Sequence, residues 1–485
     1  MAKIEGDNNS NLLVGSVNSD QIFGYGGNDR LFGDSGDDTL SGGSGSNLLN
    51  GGFGNDTADY SSSAHGLFIS LATGETTNAF NNSFDTLLSI ENVTGSNFND
   101  TIYGDDGNNR IMAGGGNDTV LGGLGYDSLY GEAGNDLLIG GDNGDGFSGG
   151  TGNDRQFGGT GSDRFTGDAG ADSFFGGADI DMADYSFSSV GVQVLLPTGR
   201  GFGGDAAGDT YDSIENVWGS GHDDVLQGDA GNNELVGFEG SDIISGFDGN
   251  DRISGTDGHD QLRGGNHNDL IRLVITGDGS LVDGGAGIDT LDLSAVSHSA
   301  LPGTGVTIDL VTHVMVEPQS ANSTVLGIEN VTGSRHADVI QGDALANTLR
   351  GGGSVDNLNG RGGNDGLHGD AGKDLLTGGL GLDTFHYHAY GDSLASAANR
   401  DVISDFSRAD DIISLKELDA NSLTLNDNAF AFIGTSAFSG VAGQLRYAAA
   451  NGVTIISADA NGDRVADLQI ELRGLFTLTA ADFIL

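Results

Sequence analysis

Aspartate recurs every ninth residue through most of this chain. One series runs from Asp20 to Asp56, a second from Asp100 to Asp181, a third from Asp224 to Asp269 and a fourth from Asp338 to Asp383. Asn47, Asn109, Asn233 and Asn347 fill open slots of the four series, and Asp289 falls two residues out of phase. Carboxylates repeated at one spacing can do little by acid–base chemistry, but they can hold cations. The charge balance demands it: 70 acidic residues stand against 19 basic ones, a formal charge of −51. Only 36% of the residues are apolar, so such a chain stays disordered unless a counter-cation neutralises it. Phosphates would be repelled, which excludes nucleic acid as a partner. There is no cysteine, hence no thiolate ligand, disulfide or thiol nucleophile.

The residues around the acids say what positions them. Two residues past each acid lies an apolar side chain: Ile22, Leu31, Leu40 and Leu49 in the first series, Ile102 to Phe147 in the second, Leu235 to Ile271 in the third, Ile340 to Phe385 in the fourth. One inward residue between two outward ones is a three-residue strand, too short to stand alone. Stacked coils would line these residues into a ladder. Gln156 is expected to break it, and Ala58 and Ala183 to weaken it. The chain holds 87 glycines, which accept the positive φ of tight turns, and only 3 prolines.

The local pattern is Gly-Gly-x-Gly-x-Asp-x-apolar-x, clearest in GGFGND ending at Asp56, GGLGYD at Asp127, GGTGND at Asp154, GGTGSD at Asp163 and GGLGLD at Asp383. It resembles the calcium-binding nonapeptide of the RTX (hemolysin-type) family. That resemblance implies an all-β fold, a parallel β-roll or β-helix solenoid in which two nonapeptides make one coil. Each acid then faces its counterpart 18 residues on, and calcium, which takes six to eight oxygens, sits between coils. Asp118, Asp136, Asp154 and Asp172 would form one edge, and Asp127, Asp145, Asp163 and Asp181 the other. The implied calcium ligands are these eight with Asp20, Asp29, Asp38, Asp56, Asp242, Asp251, Asp260, Asp269, Asp289, Asp365, Asp374 and Asp383. Multiple calcium ions are the expected cofactor.

Spacers divide the repeats. Residues 1–56, 100–181, 224–289 and 338–383 read as repeat blocks, and 57–99, 182–223 and 290–337 as spacers. Each spacer has an alternating apolar stretch (Leu67, Ile69, Leu71; Val192, Val194, Leu196; Val306, Ile308, Leu310) and ends in SIENVTGS, SIENVWGS or GIENVTGS. The spacers are expected to be wider coils of the solenoid rather than separate small domains. Residues 384–485 differ: they hold 7 of the glycines. DTFHYHAYGDS, RDVISDFSRADDIISL, DANGDRVADLQIEL and the terminal DFIL resemble the C-terminal domain of the serralysin metalloproteases. The resemblance implies a β-rich cap that carries an uncleaved signal for the type I secretion machinery, and so a secreted, extracellular protein of a Gram-negative bacterium. The SRADD loop departs from the family, which usually has glycine there. The N-terminus lacks a secretory leader's apolar core, and no apolar run is long enough for a transmembrane segment.

Tests for catalysis come out negative. None of the ten histidines is followed by Glu, so the serralysin zinc motif is missing. The one Gly-x-Ser-x-Gly, centred on Ser148, lies inside a repeat run without the strand-to-helix setting of a nucleophile elbow. His386 and His388 share one face of a strand and read as surface histidines rather than a metal pair. Asp459, Asn461 and Asp463 imitate an EF-hand start, but Ile470 stands where a bidentate Glu is needed, so a hairpin turn is the reading. No catalytic residue is assigned. The expected function is a non-enzymatic, calcium-binding extracellular matrix, adhesion or surface protein. The alternative is a calcium-binding, polysaccharide-binding carrier module of an exoenzyme, of the protease or alginate-modifying type, whose catalytic part lies elsewhere.

Overall fold

The computed structural model describes residues 2–77, 84–274, 279–296, 304–316, 321–421 and 428–485. Among them the chain is all β, with three short 3-10 turns. It divides into two compact units, Met1–Asp229 with Asn233–Phe238, and Ala230–Asn232 with Glu239–Leu485. Each is a stack of parallel coils.

In the first unit the apolar residue of each strand meets its counterpart 18 residues on. Ile22 pairs with Leu40 and Leu40 with Ala58. On the same face Ile111, Leu129, Phe147, Phe165 and Ala183 follow in register. The opposite face runs Ile102, Val120, Leu138, Gln156, Phe174. These side chains are completely or almost completely buried. Each buried aliphatic or aromatic rung contributes roughly 1.5–3 kcal/mol, which three-residue strands could not gain singly. Gln156 does not break the ladder. It occupies a full rung with no exposure, and its amide nitrogen and oxygen have no hydrogen-bond partner. The backbone pairing carries the coil through the polar rung.

The spacer strands pair in register with the repeats on both sides. Ala58 faces Val93, which faces Ile111, and Ala183 faces Val217. Each spacer adds an antiparallel excursion: Phe68–Ser70 with Glu75–Thr77, Gln193–Leu195 with Arg200–Phe202, Thr304–Asp309 with Val314–Val316. The alternating apolar residues Ile69, Val194 and Ile308 are the buried rungs of these wider coils.

In the second unit one ladder runs Leu291, Val331, Leu349, Leu367, Phe385, Ile413 and Phe483. The other runs Ile308, Ile340, Leu358, Leu376, Ile403 and Leu472. The glycine-poor region therefore extends both ladders as a cap, closed by the antiparallel strands Gln444–Ala450, Val453–Asp459 and Leu468–Arg473. Phe483 of the terminal DFIL is the rung beyond Ile413. Asp482 beside it is buried and paired with Arg408 at 3.0 Å, so the SRADD loop uses its arginine to pin the chain end.

The EF-hand-like residues turn a hairpin. Asp459 Oδ1 accepts the Gly462 N–H at 2.7 Å, Asp459 Oδ2 the Arg464 N–H at 3.0 Å and Asp463 Oδ1 the Val465 N–H at 2.7 Å. Both oxygens of Asp459 are spent on the turn itself.

Candidate metal-binding site

The nine-residue spacing places each acid at the mouth of a turn, just before its strand. The backbone N–H of one acid then donates to Oδ1 of the acid in the next coil. On one edge Asp118 donates to Asp136, Asp136 to Asp154 and Asp154 to Asp172, at 2.7–2.8 Å. On the other, Asp127 donates to Asp145, Asp145 to Asp163 and Asp163 to Asp181, at 2.7–2.8 Å. The same bond joins Asp20 to Asp38, Asp38 to Asp56, Asp242 to Asp260, Asp251 to Asp269 and Asp365 to Asp383. Asp29 receives the Asn11 N–H, Asp289 the Asp269 N–H and Asp374 the Asp356 N–H. The sequence-derived acids are thus brought together edge by edge, all of them buried.

The second oxygen carries the chemistry. Oδ2 of Asp29, Asp38, Asp56, Asp118, Asp127, Asp136, Asp145, Asp154, Asp163, Asp172, Asp181, Asp260, Asp269, Asp289, Asp365, Asp374 and Asp383 is buried and accepts no hydrogen bond. In most of these coils it points at the glycine five residues before it, although Ala113 holds that place before Asp118. A Cβ on Gly131 would run into Asp136 Oδ2 and come within 2.6 Å of the Gly149 carbonyl oxygen. A Cβ on Gly158 would run into Asp163 Oδ2 and lie 2.5 Å from the Gly176 carbonyl oxygen. Glycine keeps open a cradle where a carboxylate oxygen and a turn carbonyl of the next coil converge. A further carbonyl row stacks beside it, as Gly134 (φ +145°) and Gly152 (φ +141°) lie directly against the carbonyls of Gly116 and Gly134.

Hard oxygens, mixed carboxylate and carbonyl, in irregular flexible turns are the donor set of calcium. The electrostatics agree. Burial, with neighbouring carboxylates adding to it, pushes Asp172, Asp356 and Asp374 up to about 8 and Asp118, Asp145, Asp163 and Asp269 up to about 7. A bare row of such groups cannot stay charged at neutral pH; a divalent cation at the orphaned oxygens removes the conflict.

Asp20 departs from the set. Its Oδ1 accepts the Ala2 N–H, and its Oδ2 accepts both the N–H and the hydroxyl of Ser16. Asp356, outside the candidate set, belongs with it, since its Oδ2 is buried and unpaired. Glu91, Glu215 and Glu329 were not anticipated. They close the blocks, accepting the N–H of Asp56, Asp181 and Asp289 at 2.8–2.9 Å. Their signal was the repeated Ile-Glu-Asn-Val of the spacers. Asp85, Asp209, Asp401 and Asp411 likewise accept the N–H of Asn47, Asp172, Asp374 and Asp383.

The coil opening each later block is built differently. Ser96 fills both oxygens of Asp100, and Ser334 both oxygens of Asp338. Asn109 and Asn347 turn an amide NH2 toward the carbonyls of Glu91 and Glu329. Protein donors stand there in place of a cation.

Ser148 lies on the short strand Gly146–Ser148 and donates to Asp168 at 2.6 Å, not on a nucleophile elbow.

The family model described as the serralysin C terminal of peptidase M10 matches residues 47–485. The RTX calcium-binding nonapeptide repeat model matches residues 5–40 and 23–58. No curated protein matches. Among solved structures, the AlgE6R2 subunit of the Azotobacter vinelandii mannuronan C5-epimerase is 26% identical, covering 30% of this chain and 87% of its own, with a TM-score of 0.23. The AlgE6R3 subunit is 25% identical, covering 30% and 77%, at 0.23. The extracellular lipase LipA of Serratia marcescens is 15% identical, covering 54% and 40%, at 0.16.

Proposed function

Because this chain belongs to the peptidase M10 serralysin C-terminal family and carries RTX calcium-binding repeats, we propose that it is a secreted protein that folds on calcium outside the cell and acts there as a non-enzymatic matrix, adhesion or surface scaffold. The observation that carries this reading is the file of buried Oδ2 atoms with no protein donor. Asp29, Asp38, Asp56, Asp118 to Asp181 and Asp356 to Asp383 hold the ions with glycine carbonyls of the facing turn. Asp20 takes no part, since Ser16 satisfies it. Cytosolic calcium is too scarce to fill the cradles, so the chain stays unfolded before export; the C-terminal region addresses it to a type I exporter.

Two measurements test this. Calcium per chain is counted by equilibrium dialysis and elemental analysis; a chain that retains no calcium at millimolar free ion overturns the reading. Secretion through a type I system is compared with and without residues 436–485; unchanged secretion of the truncated chain removes the export half.

A second reading, a glycan-binding carrier module, is favoured by one cleft in the first unit. It is lined by Tyr25, Ser44, Asp59, Ser62, Ser63 and His65, an aromatic ring among hydroxyl and carboxylate groups. Binding of uronate or neutral oligosaccharides on a glycan array, lost in Tyr25→Ala, would support it; an empty array would dismiss it.

A further inference from the structure

Three histidines cluster on the outer face of the last repeat coils. His386 pairs in register with His368, one coil earlier, and His388 lies two residues on along the same face. Sequence separation hides the third member, yet 368 and 386 differ by one coil. One ring nitrogen from each of the three lies within 4.8 Å of the others.

We propose that His368, His386 and His388 form a binding site for a divalent transition metal of the zinc, copper or nickel class, distinct in chemistry from the acidic ladders. His368 Nδ1 and His388 Nε2 are 2.7 Å apart. Two imidazole lone pairs at that distance repel unless a proton or a metal ion lies between them. The other nitrogen of His388, Nδ1, is 3.1 Å from Glu417 Oε2, so the carboxylate orients the ring and leaves Nε2 for the metal. His386 Nε2 and His368 Nε2 sit together over Gly366, where a Cβ would come 3.7 and 3.9 Å from them. The absence of a side chain there leaves room above the strand. Tetrahedral zinc needs nitrogens about 3.3 Å apart, and the three rings lie within 6° of parallel, so they must swing about χ1 and χ2 to aim their lone pairs at one ion. The nearby Arg350 does not oppose this, because Asp370 pairs with it at 2.7 Å. Imidazole selects zinc, copper or nickel over calcium, so filled ladders do not compete for the site. A metal here would tie two coils of the roll to the first turn of the cap.

The test uses the full chain in excess calcium, stripped of transition metals. Zinc is titrated by calorimetry, and copper(II) is followed by electron paramagnetic resonance. Expected are one tight zinc site per chain, nitrogen hyperfine structure from copper, and a zinc-dependent rise in the melting temperature. His386→Gln and His388→Gln should each weaken zinc binding by about 10-fold or more and abolish the thermal shift, with calcium content unchanged. His388 lies at the outer end of the cluster, so its variant tests the site even where the His386 variant fails to fold. Absence of zinc binding, or equal affinity in wild type and His388→Gln, overturns the proposal.

Discussion

The backbone N–H of Asp145 donates to Oδ1 of Asp163 at 2.7 Å, while Oδ2 of Asp163, equally buried, accepts nothing. In Asp163 and the other acids with an orphaned Oδ2, one oxygen is structural and the other is reserved. That division sets what substitutions, pH and ions should do.

The bare roll should be acid-stabilised. In it Asp172, Asp356 and Asp374 titrate at about 8 against an ordinary value of 3.8. Between those limits the folded bare chain holds protons that the unfolded chain has released, so its stability falls as pH rises. In chelator, circular dichroism should show little β structure at pH 8 and more toward pH 5. Calcium at pH 7.5 should restore it with release of protons, and magnesium should not, because it demands small octahedral sites. A bare chain whose β content grows with pH would contradict the assignment.

Asp145→Asn should keep the bond from the Asp127 N–H and lose a charged ligand. Calcium affinity at that cradle is expected to fall on the order of 10-fold, with less calcium bound per chain. Asp100→Asn should leave the calcium count unchanged, since Ser96 already occupies both oxygens. Equal losses in the two variants would mean that the orphaned oxygen is not what binds.

Gln156→Met should stabilise the calcium-loaded roll. The buried amide leaves two polar atoms unpaired, at a cost of about 1–3 kcal/mol, and an apolar rung of the same length removes it. Thermal unfolding in calcium should shift upward; a fall would show that the amide has a partner in solution.

Phe483→Ala should cost about 3–5 kcal/mol of local stability, because it removes the rung over Ile413. Hydrogen exchange should quicken at Thr384–His386 and Ile412–Ser414 and change little in Ile102–Phe147. Uniform protection in both proteins would make the chain end an address without a structural task.

The repeat register was legible in the sequence, because a period of nine returns an acid, or an Asn in its slot, to the same position. Asp118, Asp136 and Asp154 fall on one edge by counting alone. What composition could not give was the exception at each block boundary. Ser16 fills Oδ2 of Asp20 from four residues away, and Glu91 closes on Asp56 through a bond that depends on how a spacer re-enters the register, over 35 residues. Gln156 misled because a polar side chain argues against burial locally, whereas the neighbouring coils fix its place. His368 was not legible for a related reason: ligand spacing in the sequence runs along the strand, and this partner stands across it.

The serine- and asparagine-satisfied coils at Asp100 and Asp338 bear on how the array assembles in time. In a one-dimensional stack the first coil is the costly step and each later coil adds to a template. A coil whose acid is held by Ser96 or Ser334, and whose next acid slot is filled by Asn109 or Asn347, needs fewer ions to close. It is a ready seed, and the block behind it can zip up one ion at a time. Several seeds along one chain make several short zippers rather than one long one. The response to rising calcium should then be spread over a range of concentrations, with islands of roll appearing first at the seeds.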